Sequence, residues 1–319
     1  MLLLAAAVGF AVVNGLNDGG ALLAVGLSVR SMRPLTALVV LTAAVVVAPL
    51  VLGTAVATTL TSRLVTFDGR AGEVALLVAV VVAVGVTSVL ARRGLPTSLT
   101  LAVVGALTGA GLGAGLTVAP GVVLLVLVLA LVAPVVGLAV AWLLTGLASR
   151  VRYRTDLDAL ARRWHVGAFV AQSVAYGAND GQKMLAVLAV AAGANVRDGV
   201  PLVGWQLAVA AAGFLAGAVV GLPRIARTLG GGVVPVRPPD AAITELAASS
   251  VVLGTAAVGS PVSMTQAIAG AQVGTGVTRG LGRIRWREVG RIGGAWIVTL
   301  PAAGVVAAVV AAVAVATLT

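Results

Sequence analysis

Two short stretches set an amide beside a carboxylate, with glycine on either side: Asn17-Asp18 in VNGLNDGG and Asn179-Asp180 in YGANDGQK. A carboxylate accepts only, whereas a side-chain amide can donate or accept. Glycine weakens a helix interior by ~1 kcal/mol and lets the backbone turn its own carbonyls toward a ligand. This chemistry suits a small cation or a proton, with Asp18, Asp180, Asn17 and Asn179 as the candidate ligands; for Na+ the two carboxylates are the metal ligands. Two further stretches, GLPTSLTL and GSPVSMTQ, place hydroxyls two residues apart after a proline: Ser98 and Thr100, then Ser263 and Thr265, with Gln266 following. Proline at a helix start sets φ without wasting a donor. The free N–H groups there, with added hydroxyl donors, favour an anion. Lys183, the single lysine among 21 basic residues, follows Asp180 by three positions.

Each motif alone has an ordinary explanation: amides often cement membrane helices, and Ser or Thr often caps a helix. Recurrence argues against both. Asn17 and Asn179 are 162 positions apart and Pro96 and Pro261 are 165 apart, so two unrelated motif pairs repeat at nearly one offset. That is the signature of an internal duplication. The first half carries Leu22 where the second has Lys183, so the repeat predicts the Asn-Asp core but not the lysine.

The elements that hold these residues lie in a chain that is 60% hydrophobic and 10% charged, with mean hydropathy +1.13. Soluble domains carry about 25% charge, so this is a polytopic membrane protein. Its apolar runs are continuous and long, which selects helices over a barrel of alternating ~10-residue strands. With no cysteine and one histidine, disulfides, thiolate chemistry and His- or Cys-rich metal sites are excluded, and no enzyme nucleophile–base pair stands out. The net charge of +11 reflects loop arginines and not nucleic-acid binding. The first residues lack the charged leader of a signal peptide and are expected to form the first membrane segment.

Ten hydrophobic segments are expected, at 3–29, 35–60, 71–91, 95–118, 120–148, 166–192, 199–222, 241–259, 261–278 and 289–316. If the N-terminus lies outside and every segment crosses, 17 arginines fall in inside loops and three (Arg63, Arg70 and Arg197) outside. This bias supports N-out, C-out topology. Five segments per half is odd, so the second half is inverted. The expected organisation is a first transmembrane repeat at 1–148, a cytoplasmic linker at 149–165 and a second, inverted repeat at 166–319. Inverted repeats typify secondary transporters, with broken helices meeting near the midplane. Whether the segments around Pro96 and Pro261 span the bilayer or re-enter as hairpins is left open. His165 is expected at the interface, Glu245 to pair with an arginine or join in coupling, and the tryptophans to anchor at the interface.

Together the four motifs resemble the signatures of the PiT family of inorganic phosphate transporters, in which two Gly-Ala-Asn-Asp-type and two Gly-Leu-Pro-x-Ser-x-Thr-type signatures recur in inverted halves. YGANDGQK is most similar to the bacterial low-affinity members. The resemblance implies an all-α polytopic fold and cation-coupled phosphate symport by alternating access in a bacterial plasma membrane. It implies no cofactor beyond a coupling ion, Na+ or H+. The implied residues are Asp18, Asp180, Asn17 and Asn179 for that ion, and Ser98, Thr100, Ser263, Thr265, Gln266, Asn17, Asn179 and Lys183 for the anion. A metal–phosphate complex as substrate, a homodimer, sulfate as the transported anion and an anion channel are the alternatives. The chain departs from the family pattern at Leu16, Ala21, Leu99, Leu101, Met264 and Gln266; both middle threonines and both histidines of the hydroxyl signatures are missing.

Overall fold

A chain without charge to spare buries its backbone polarity in helices. The computed structural model describes residues 1–29, 31–92, 97–150, 157–196, 199–228, 233 and 237–318. α1 (Leu2–Asn14) passes through a π turn (Gly15–Gly19) into α2 (Gly20–Gly26). α3 (Pro34–Leu52), a short α4 (Ala55–Thr58) running into a second π turn (Thr59–Arg63), α5 (Gly69–Arg92), α6 (Leu99–Gly113) and α7 (Pro120–Arg150) follow. Then come α8 (Leu157–Tyr176), a third π turn (Gly177–Gly181), α9 (Gln182–Ala191), α10 (Gly204–Thr228), α11 (Pro238–Ala257), α12 (Met264–Val277) and α13 (Trp286–Leu318). Among the described residues there is no strand, only one isolated antiparallel bridge between Val65 and Val118.

Each expected segment has a helical counterpart, with boundaries that move by several residues. Segment 35–60 stops at Leu52, because Gly53 adopts φ +81, a conformation that favours glycine. The linker is helical from Leu157 onward, and its residues 151–156 lie outside the described residues.

Among the described residues, six helices are long and apolar enough to cross a membrane: Leu2–Gly26, Pro34–Leu52, Gly69–Arg92, Pro120–Arg150, Gly204–Gly221 and Trp286–Leu318. α6 has 15 residues and α12 has 14. At 1.5 Å per residue each reaches only about 22 Å, short of a hydrocarbon core of about 30 Å. Their first residues are buried, with Ser98 fully covered, so both helices start inside the protein instead of at a membrane face. α6 packs along α5 and α12 along α11, two hairpins whose second arm begins at depth.

Packing across the halves is reciprocal. α6 lies against α13 and α12 against α7; α1 and its π turn lie against α10, and α8 with its π turn against α3. Small residues make the close contacts. A Cβ built on Gly105, Gly109 or Gly113 of α6 would fall 2.4, 2.0 or 2.1 Å from carbonyl oxygens of α13. On α12, Gly270 and Gly274 would meet Pro134 O and Leu138 O of α7 at 2.0 and 2.2 Å. Such contacts let backbones approach where lipid offers no hydrophobic drive between helices. α7 and α13 turn their other sides outward, exposing Leu131, Val135, Ile297, Val305 and Val309.

His165 is not interfacial. It is fully buried, with Ser31 Oγ 2.5 Å from its Nδ1 and Glu245 Oε1 3.3 Å from its Nε2. Glu245 therefore pairs with histidine and not with an arginine. Burying two ionisable groups on α8 and α11 favours their pairing over leaving either one alone.

Candidate functional site

The two Asn-Asp motifs sit in the π turns, Gly15–Gly19 and Gly177–Gly181. The interruption is one wide turn within a continuous helix, a feature common at functional sites. The flanking glycines owe their presence to proximity. A Cβ on Gly15 would fall 1.9 Å from Phe214 O on α10, and one on Gly177 would fall 2.1 Å from Ala44 O on α3. Each motif is thus pressed against a helix from the other half.

Asn17 is half-buried; its Nδ2 donates to Asp18 Oδ1 at 2.8 Å and to Thr97 O at 3.5 Å. Asn179 is fully buried, and its Nδ2 donates to Val262 O at 2.6 Å. Thr97 and Val262 each immediately precede the serine that caps the following helix. The two halves therefore make the same amide-to-carbonyl contact, tight in the second and looser in the first.

Ser98 Oγ accepts from Leu101 N at 3.2 Å and Ser263 Oγ accepts from Gln266 N at 3.4 Å. Both serines thus use an acceptor as N-caps, and their hydroxyl protons remain for other partners. Pro261 does not occupy the first helical position; it lies two residues before the N-cap Ser263. Its counterpart Pro96 lies outside the described residues. Thr265 Oγ1 is 2.8 Å from Ser263 Oγ. Gln266 is buried with its Oε1 unpaired. Ser98→Ala and Ser263→Ala should each lower stability by about 0.5–2 kcal/mol, measured as a lower unfolding temperature in detergent. No change would show that the caps contribute nothing.

The motifs converge at Lys183. Its Nζ donates to Thr100 Oγ1 at 2.6 Å, Asp180 Oδ1 at 2.7 Å and Val262 O at 2.9 Å. Thr100 Oγ1 itself donates to Val262 O at 3.2 Å. An ammonium has three protons, so every donor on Lys183 is committed to a protein oxygen. Asp18 is 5% exposed and lies within electrostatic reach of both Asp180 and Lys183. Around this centre Asp180 Oδ2, Asn179 Oδ1, Thr97 Oγ1 and Ser260 Oγ are buried without partners.

Several of these residues were not singled out from sequence. Tyr176 OH donates to Asn14 Oδ1 at 3.4 Å, and the two residues are themselves 162 positions apart. Residues related by the repeat that touch one another lie on its axis. Each also precedes its motif aspartate by four positions and so shares its helix face, a spacing that could have identified them. Gln182 Oε1 accepts from Val56 N and Ala57 N at 2.8 and 3.2 Å, capping α4. No local pattern reports that contact. Counting from the π turns, the counterpart of Lys183 is Ala21, one residue before the expected Leu22; Leu22 is fully buried in the apolar core.

Comparison with known proteins bears on the family and the fold. A probable low-affinity inorganic phosphate transporter of Mycobacterium bovis is 32% identical over 320 residues, covering 97% of this chain and 76% of the relative. One from Bacillus subtilis is 24% identical, covering 97% and 95%. A solved structure named as the sodium-dependent phosphate transporter superposes with a TM-score of 0.84 at 18% identity, over 98% of this chain and 99% of that one. At that identity it supports the fold alone. Each of these is named as a transporter, not an enzyme. The model of the phosphate transporter family matches residues 14–307, from the first signature through the helix that packs on α6, and the chain belongs to that family.

Proposed function

We propose that this protein takes up inorganic phosphate together with a cation, Na+ or H+, by alternating access of two inverted repeats, 1–148 and 166–319, joined by the 149–165 linker. The observation that carries the reading is the junction at Lys183, where a first-half hydroxyl meets a second-half carboxylate and the start of α12. A site assembled from both halves can open to either side when the halves rock. Asp18 and Asp180 with Asn17 and Asn179 form the cation side. The starts of α6 and α12, with Ser98, Thr100, Ser263, Thr265 and Gln266, form the anion side. With both carboxylates ionised, they and the one ammonium leave the centre at net −1, and an incoming anion is then repelled in low dielectric unless cations or protons accompany it. The similarity to bacterial phosphate transporters supports phosphate as the substrate and a bacterial membrane as the location. The arginine bias supports N-out, C-out insertion.

The test is uptake of labelled phosphate by purified protein in liposomes. Saturable uptake is expected only with an inward Na+ or H+ gradient. Flux at channel rates, or uptake indifferent to ionophores, would sink the symport reading. Leu99, Leu101 and Met264 replace residues that supply polar groups in the family signatures and so bear on anion choice; sulfate, which the family resemblance implies for related members, is the second reading. Excess sulfate that blocks phosphate entry and is itself carried would establish it.

A further inference from the structure

The three oxygens around Lys183 are a carboxylate, a hydroxyl and a backbone carbonyl, at 2.7, 2.6 and 2.9 Å. Such a set would equally serve a bare monovalent cation, for which carboxylate and unwound-backbone oxygens are the usual ligands in transporters. The repeat relates each member to a residue of the other half: Asp180 to Asp18, Val262 O to Thr97 O, and Thr100 to Thr265. Two of these three already share one contact, because Asn17 Nδ2 donates to both Asp18 Oδ1 and Thr97 O. The first-half set has no ammonium, since Ala21 stands opposite Lys183. Thr97 Oγ1, beside this set, is buried and unpaired.

Residue choice points the same way. The chain uses arginine at 20 of its 21 basic positions. A guanidinium is a broad planar fork, whereas an ammonium is a compact point charge with three donors, the closer match to an alkali cation. Lys183 is 2% exposed and has no proton left to offer an anion.

Resting on the symport reading above, we infer that Lys183 is a tethered cation, filling the symmetry counterpart of an exchangeable monovalent-cation site formed by Asp18 and Thr97 O of the first half with Thr265 of the second. One of two symmetry-related cation positions is thus permanently occupied by the protein's own charge. That charge travels with the protein and not with the substrate, so each cycle moves one cation fewer than two equivalent sites would.

The measurement is the net charge carried per phosphate, from the reversal potential of uptake in liposomes, with Na+ and H+ gradients imposed separately. Lys183→Met leaves Asp180, Thr100 and Val262 O to a free cation. The charge per phosphate should rise by one and the Hill coefficient for the cation by about one, with uptake retained at raised cation concentration. The converse variant, Ala21→Lys, places an ammonium beside Asp18 and should lower the charge per phosphate by one; it decides the matter if Lys183→Met does not fold. An unchanged charge ratio in a folded variant overturns the inference, as does a folded Lys183→Met that takes up no phosphate at any cation concentration. Wild-type protein that shows no cation-dependent uptake would instead overturn the symport reading, so the two failures are distinct.

Discussion

Asp180→Asn is expected to abolish cation-coupled phosphate uptake and to lower the stability of the folded protein without affecting membrane insertion. Asp180 Oδ1 accepts from Lys183 at 2.7 Å, both side chains being almost fully buried. The amide is nearly the same size and its oxygen can still accept, so packing is preserved, but the ammonium loses its charged partner. Removing one partner of a buried ion pair typically costs 3–5 kcal/mol, because the other charge is left uncompensated. Asp180 Oδ2, buried and unpartnered, is removed from the site at the same time. Insertion depends on apolar run length, and exchanging the Asp180 carboxylate for a neutral amide makes segment 166–192 no less apolar. Reconstituted uptake and unfolding temperature in detergent should therefore both fall, while the amount in the membrane holds. The double variant Asp180→Asn/Lys183→Met removes both charges and should recover most of the lost stability. Near-normal uptake by Asp180→Asn would take Asp180 out of the site. A double variant no more stable than the single one would show that the ion pair is not what the single variant breaks.

The second large effect should come from the motif glycines. Gly15→Ala and Gly177→Ala would each drive a methyl to within 1.9 and 2.1 Å of a backbone oxygen on α10 and α3. A carbonyl within a helix cannot swing aside as a side chain can, so the helices must separate. Overpacking costs about 1–3 kcal/mol and sometimes more, and these two sites belong at the upper end. Gly9 of α1 provides the control, since nothing lies within 4 Å of a Cβ there. Gly9→Ala should be neutral or stabilising by about 0.5–1 kcal/mol through helix propensity. Thermal unfolding in detergent of the three variants side by side tests this. Equal behaviour of Gly15→Ala and Gly9→Ala would mean that the motif glycines serve backbone flexing instead of close packing.

These two results bear on how differently the motif residues could be read from sequence. Offset and order were enough to mark Asn17, Asp18, Asn179 and Asp180, because a duplication writes the same polar residues twice into an apolar background. The later glycines of GALTGAGLGAG were legible as a packing face, since i, i+4, i+8 spacing repeats on one side of a helix. The glycines around the Asn-Asp pairs were harder. A break in the helix and a close approach to a neighbour both call for glycine, and only the positions of Phe214 O and Ala44 O separate them. The proline-hydroxyl motifs were legible as helix starts, but not in detail: Pro261 precedes the cap of α12, and both serines spend an acceptor on the helix itself. His165 was misplaced because a basic loop upstream suggests an interface, while its partners Ser31 and Glu245 lie 134 and 80 positions away.

The sequence by itself determined the class of the molecule, its ten helical segments and the duplication, since apolar run length, arginine bias and residue offset are properties of the chain read in order. Only the tertiary structure decided where Lys183 sits and what it touches. Its place among Asp180, Thr100 and Val262 depends on two helices, α6 and α12, that begin at depth from opposite halves, and no periodicity encodes where two such starts meet. Local physics places a lysine one turn from an aspartate; the packing of one half against the other brings in the hydroxyl and the carbonyl that use its remaining protons.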